Sequence, residues 1–174
     1  MKRVPYEVRV GEFLRQKGLK LVLAESCTGG LVGNLITNIA GSSDYYLGSV
    51  TAYAYEAKEA LLGVKHETLL KYGAVSRPTV LEMAAGSRRA LAGDFPLETI
   101  IGVSISGIAG PGGGLPEKPV GTVWFGMSTP DGDWAWRYLF HGDRVQNKRS
   151  AARTALKLII AYLSGTLPPE TPFT

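Results

Sequence analysis

The sequence predicts an α/β fold, a three-layer α/β/α sandwich around a mixed, mostly parallel five-stranded sheet. Three observations carry this. Short apolar runs alternate with segments whose apolar residues recur at helical spacing. Glycine and proline cluster between those segments rather than inside them. Two late strand-like runs flank Thr129-Pro130-Asp131-Gly132, a hairpin turn signal that adds an antiparallel pair to the sheet.

The elements follow in order. Pro5 suits a first helical turn, and Tyr6, Val10, Phe13 and Leu14 share a face up to a stop at Gly18. Residues 19–24 (LKLVLA) read as a short buried strand. Residues 29–39 read as a helix through Leu31, Leu35 and Ile39, closed by Gly41. A second strand spans 47–53, and helical stretches lie around 56–62 and 66–72, with Gly73 as the stop. Ser76 caps a helix from Arg77 to Leu91 that tolerates Pro78 in its first turn. Strands at 99–106, 120–128 and 133–140 complete the sheet. Asp143 caps a final helix, 144–163, that ends near Gly165. The length of 174 residues suits one domain, expected over 1–165, with a loose tail over 166–174. In such folds ligands bind where strands run into loops at one sheet edge. The loops after Ala24, Ile39 and Ser106 are therefore the expected working loops.

Composition narrows the function classes. Hydrophobic residues at 45% and charged residues at 20% are ordinary for a globular chain. A net charge of +4 from scattered basic residues gives no nucleic-acid footprint, whereas a small anionic substrate needs only one or two local cations. The single cysteine, Cys27, cannot form an internal disulfide, in keeping with a reducing cytoplasm. The N-terminal MKRVPYEVRVGEF returns to charge too soon for a signal peptide, and LIIAYL at 158–163 is too short to span a bilayer, so no membrane association is expected.

Four stretches can carry chemistry. Residues 24–30, AESCTGG, join a strand end to a helix start, where unpaired N–H groups offer an anion or carboxamide site, unless Ser26 or Thr28 simply caps the helix. Gly41-Ser42-Ser43 is followed by Tyr53 and Glu56-Ala57-Lys58; a serine needs a base, and a lysine in a dry pocket can serve, though spacing does not single out Lys58. The glycine-dense loop after Ser106 (Gly107, Gly110 and onward) lets backbone approach a ligand and matches neither a GxGxxG nor a P-loop pattern. Arg144, in the first turn of the last helix, is a candidate clamp for phosphate or carboxylate. His66 and His141 occupy no nucleophile motif, and His141 with Asp143 lacks further ligands, so no metal is expected. Cys27 reads as a small buried residue, with a lowered-pKa thiolate as the alternative.

Taken together, AESCTGG (24–30), GSS (41–43), EAK (56–58), LLGV (61–64), YGAVS (72–76), SGIAGPGGG with EKPVGTV (106–114, 117–123) and GDR (142–144) resemble the CinA C-terminal domain family, in its stand-alone form. The resemblance implies an anticodon-binding-domain-like fold and a nicotinamide-nucleotide amidase that converts nicotinamide mononucleotide and water to nicotinate mononucleotide and ammonia. It also implies homo-oligomers, and neither cofactor nor metal. By the same likeness Ser43 is the nucleophile and Lys58 its base. Ser26, Thr28, Gly29, Tyr53, Ser106, Gly107, Gly110 and Arg144 are expected around the substrate. Ala54-Tyr55 departs from the family's usual Ser-Asn and sets a phenol beside the proposed base. The rivals are a competence- or damage-associated interaction module without activity, an amidase for another nucleotide or small amide, and a cysteine amidase using Cys27.

Overall fold

The computed structural model describes residues 4–172. Its helices are α1 (Tyr6–Lys17), α2 (Leu31–Thr37), α3 (Tyr55–Leu62), α4 (His66–Tyr72), α5 (Arg77–Leu91) and α6 (Arg144–Leu163). Its strands are β1 (Lys20–Glu25), β2 (Tyr46–Thr51), β3 (Ile100–Gly107), β4 (Thr122–Thr129) and β5 (Gly132–Leu139). The predicted stops and caps do their work: Gly18 takes a left-handed conformation after α1, and Ser76 accepts from the Thr79 N–H. Asp143 and Gln146 form a reciprocal capping box at the start of α6. The helix expected over 29–39 is shorter because Gly29 and Gly30 sit at φ +62° and +92°, outside helical space.

The five strands form one mixed sheet in the order β2-β1-β3-β4-β5. β1 pairs in parallel with both β2 and β3, whereas β4 is antiparallel to β3 and β5. One apolar core joins Val10 and Leu14 of α1, Ile36 of α2 and the Ala151–Leu163 face of α6 to one side of the sheet. On the other side Met83 of α5 packs with Leu62 and Leu69, and Val80 of α5 packs with Trp124 and Ala135. Burying each such leucine or valine contributes about 1.5–3 kcal/mol. α5 lies unusually close to the sheet: a Cβ added at Gly102 would come within 2.5 Å of the Ala84 carbonyl oxygen, and one at Gly126 within 2.3 Å of Val80's.

This topology places the site. The chain leaves β1 toward β2 and later returns to the other side of β1 as β3, so the strand order reverses between β1 and β3. Their carboxyl ends open a crevice there. The connection from α2 to β2 necessarily lies at the opposite edge, because α2 carries the chain back across the sheet. The loop after Ile39, expected among the working loops, is thus removed from that crevice.

The tail departs from expectation as well. Glu170 accepts from the Ala135 N–H and from Arg77, both at 2.8 Å, the Thr171 N–H donates to the Ala135 carbonyl, and Trp136 Nε1 donates to the Pro168 carbonyl. Residues 168–171 therefore cover the free edge of β5, satisfying groups an edge strand otherwise exposes. Among the described residues no helix is long and apolar enough to cross a membrane.

Candidate active site

Lys58 is the organising residue. It lies in the first turn of α3, only 1% exposed, and its Nζ sits 3.0 Å from Ser26 Oγ, 2.9 Å from the Ala52 carbonyl and 2.9 Å from that of Tyr53. Burial disfavours the ammonium and pulls its pKa from the usual lysine value down to about 8. The hydrogen inventory then matters. Carbonyls only accept, so an uncharged amine spends its two hydrogens on Ala52 and Tyr53, leaving its lone pair for the Ser26 hydroxyl. That is the orientation a general base requires.

Ser26 follows the last residue of β1, and its N–H donates to the Ile105 carbonyl of β3, fixing it at the crevice. Glu25, fully buried, folds its carboxylate over the next turn and accepts from the N–H groups of Gly30 (3.1 Å), Val32 (3.1 Å) and Gly33 (2.8 Å). The turn carrying Ser26 is thereby tied at both ends. Thr28 is buried in this turn, and its Oγ1 finds no partner among the described residues.

The rim comes from distant parts of the chain. Arg144 donates to the Gly110 carbonyl at 2.6 Å and to Tyr53 Oη at 3.0 Å, bridging the glycine-rich loop and the residue after Ala52. Asn147 anchors the same loop through the Ala109 carbonyl at 3.0 Å. Ser106 gives its hydrogen to the Ala74 carbonyl at 2.7 Å, so it braces the connection between α4 and α5 rather than offering a donor to an oxyanion. Cys27 is buried, and burial pushes its thiol up to about 12, so no thiolate nucleophile forms near neutral pH. Among the described residues no group of three His, Cys, Asp or Glu side chains could hold a metal ion.

The model of the family described as the CinA C-terminal domain matches residues 4–163. The chain belongs to that family. It is 47% identical over 152 residues to the nicotinamide-nucleotide amidohydrolase PncC of Shigella flexneri, covering 87% of this chain and 88% of that protein. It is also 47% identical over 154 residues to a CinA-like protein of Salinibacter ruber, where the match spans 88% of this chain but only 36% of the longer protein. A solved CinA superfamily protein of Klebsiella pneumoniae 700603 superposes with a TM-score of 0.85 at 35% identity, over 92% of this chain and 96% of that one.

Within this CinA domain the expected residues divide. Ser26, Lys58, Tyr53 and Arg144 meet at the crevice, with Thr28, Gly29 and Gly110 in the loops beside them and Gly107 at the end of β3. Ser43 does not join them. It is exposed, in a one-turn 3-10 segment (Ser42–Asp44) held at the amino end of the strands by Arg15 to Asp44 at 3.1 Å and Lys20 to the Asp44 carbonyl at 2.6 Å. The length of β2 intervenes, about 17 Å or more at strand rise, so within one chain Ser43 and Lys58 form no dyad. Tyr55 is likewise turned aside: its Oη accepts from the Ala74 N–H at 3.2 Å. Sequence reading missed Glu25, Asn147 and the two carbonyls that hold Lys58. The alternation of AESCTGG with a strand carried a hint of Glu25, since a carboxylate ending a buried strand needs donors; nothing local pointed to the carbonyls.

Proposed function

We propose that this chain is an amidohydrolase that converts nicotinamide mononucleotide and water to nicotinate mononucleotide and ammonia, with Ser26 as nucleophile and Lys58 as base. The contact between Lys58 Nζ and Ser26 Oγ at 3.0 Å, inside a buried crevice end, carries the reading. The likeness to PncC supplies the substrate class. Ser26 takes the role that motif likeness gives to Ser43.

In this scheme Ser26 Oγ attacks the carboxamide carbon and its proton passes to neutral Lys58. The tetrahedral oxyanion is met by main-chain N–H groups of the turn, Thr28 among them, whose N–H has no main-chain partner among the described residues. The C–N bond breaks as Lys58 returns the proton to the departing nitrogen, giving ammonia and a Ser26 ester. Lys58 then takes a proton from water as it attacks the ester, releasing the acid and restoring the serine. Arg144 shapes the mouth by holding Tyr53 and the Gly110 loop. We further place the enzyme in the cytoplasm, in keeping with one unpaired cysteine, and in a homo-oligomer, the assembly that the family likeness implies.

Ammonia release across nicotinamide mononucleotide, nicotinamide riboside and free nicotinamide tests the reading. Turnover with the mononucleotide well above the other two supports it. Another preferred amide would reassign the substrate, and silence on every amide would favour a non-catalytic interaction module.

A further inference from the structure

A second cavity, of about 380 Å³, lies beside the connection between α4 and α5, and it holds none of Ser26, Lys58, Tyr53 or Arg144. Lys71, Arg77, Lys118 and Arg137 line it, against one lining carboxylate, Glu117. We infer that this cavity binds a small phosphorylated anion, a diphosphate or a compound bearing one, at a site separate from the amidase centre.

The charges are held open rather than neutralised. Lys118 is fixed across the opening by one bond to the Tyr72 carbonyl at 2.7 Å and keeps two hydrogens without a partner among the described residues. Arg137 spends one Nη on the Glu117 carbonyl oxygen at 2.8 Å. Arg77 shares one Nη with Glu170 at 2.8 Å, the only carboxylate partner of the four cations among the described residues. Lys71 has no ion pair among the described residues and lies 5.0 Å from the Tyr72 ring centroid. Counting Glu117 and Glu170 against the four cations leaves two positive charges. Trp124, only 9% exposed, lines the same cavity, and its indole N–H makes no hydrogen bond among the described residues. That donor is open to the cavity and available to a bound acceptor. Several unspent N–H groups, fixed by main-chain contacts around a concave volume of ligand size, match the many acceptor oxygens of a phosphoryl group better than a single carboxylate.

Isothermal titration of the full chain with inorganic pyrophosphate in magnesium-free buffer tests this. The inference expects one saturable site with Kd in about the 10–1000 µM range, weakened by added salt. Lys71→Glu with Arg137→Glu should weaken it tenfold or more while leaving amidase turnover unchanged. The milder Lys71→Met serves if the double variant loses its thermal transition, and should weaken binding severalfold. Pyrophosphate should not compete with the amide substrate. Absence of saturable binding, equal binding by the folded variants, or competition with nicotinamide mononucleotide would each overturn the inference. The last would place the anion in the amidase crevice, without touching the amidase reading itself.

Discussion

At the scale of single residues, the chemistry rests on one buried amine. Water solvates an ammonium far better than this crevice does, so the fold favours the uncharged form and Lys58 titrates near 8. Below that value Lys58 carries a proton and cannot accept another. We therefore expect kcat/KM to rise with pH with a midpoint near 8 and to fall about tenfold per unit on the acid side, measured as initial ammonia release. Lys58→Arg should flatten that limb and lose about 10³-fold or more in turnover, because a guanidinium stays charged throughout. The carrying lysine was nameable from the sequence only through family likeness. Its depressed pKa was not, because the cause is burial against Ser26 and the Ala52 and Tyr53 carbonyls, which only the tertiary fold brings to it.

At the scale of elements, two couplings decide whether that amine and its serine stay aligned. Glu25 ties β1 to α2 through three N–H groups. Glu25→Gln keeps the shape but replaces an acceptor oxygen with a donor facing donors, at a cost of about 2–3 kcal/mol. Urea unfolding should show that loss, and turnover should fall with it through a displaced Ser26. Gly86 of α5 meets α3 more tightly still, since an added Cβ would stand 1.9 Å from the Leu62 carbonyl oxygen. Gly86→Ala must push α3, and Lys58 with it, away from the sheet. Stability should drop by about 3 kcal/mol and turnover with it, read by denaturant midpoint and ammonia assay.

Elements were the most legible level of the sequence. The caps at Ser76 and Asp143 and the stop at Gly18 are local chemistry, written where they act. The start of α2 was misjudged because Leu31 and Leu35 set the periodicity, while the two preceding glycines, at positive φ, belong to the turn. The misplacement of Ser43 has a different origin. A βαβ crossover sends the loop before β2 to the far edge, a consequence of topology that the predicted order of strands already contained.

At the scale of the whole molecule, strand order brings positions 26, 58 and 144 together. The reversal between β1 and β3 opens the crevice, and β5, ending at the same edge, delivers Arg144 at the start of α6 to its mouth. None of this proximity is periodic, so no local pattern could report it. The same holds for the C-terminal segment, whose prolines and polar residues read as loose chain although Glu170 pins it to β5 and α5. Glu170→Ala removes both contacts and should lower stability by about 1–2 kcal/mol, a shift of roughly 2–8 °C in Tm for a domain of this size, seen by calorimetry.

The account turns on which serine the buried lysine activates. Ammonia release from nicotinamide mononucleotide, measured side by side for Ser26→Ala and Ser43→Ala with both proteins shown to be folded, decides it most directly. A loss of about 10³-fold or more for Ser26→Ala, with Ser43→Ala staying within about threefold of the parent, is the predicted result. Retained turnover in Ser26→Ala together with its collapse in Ser43→Ala would contradict the account.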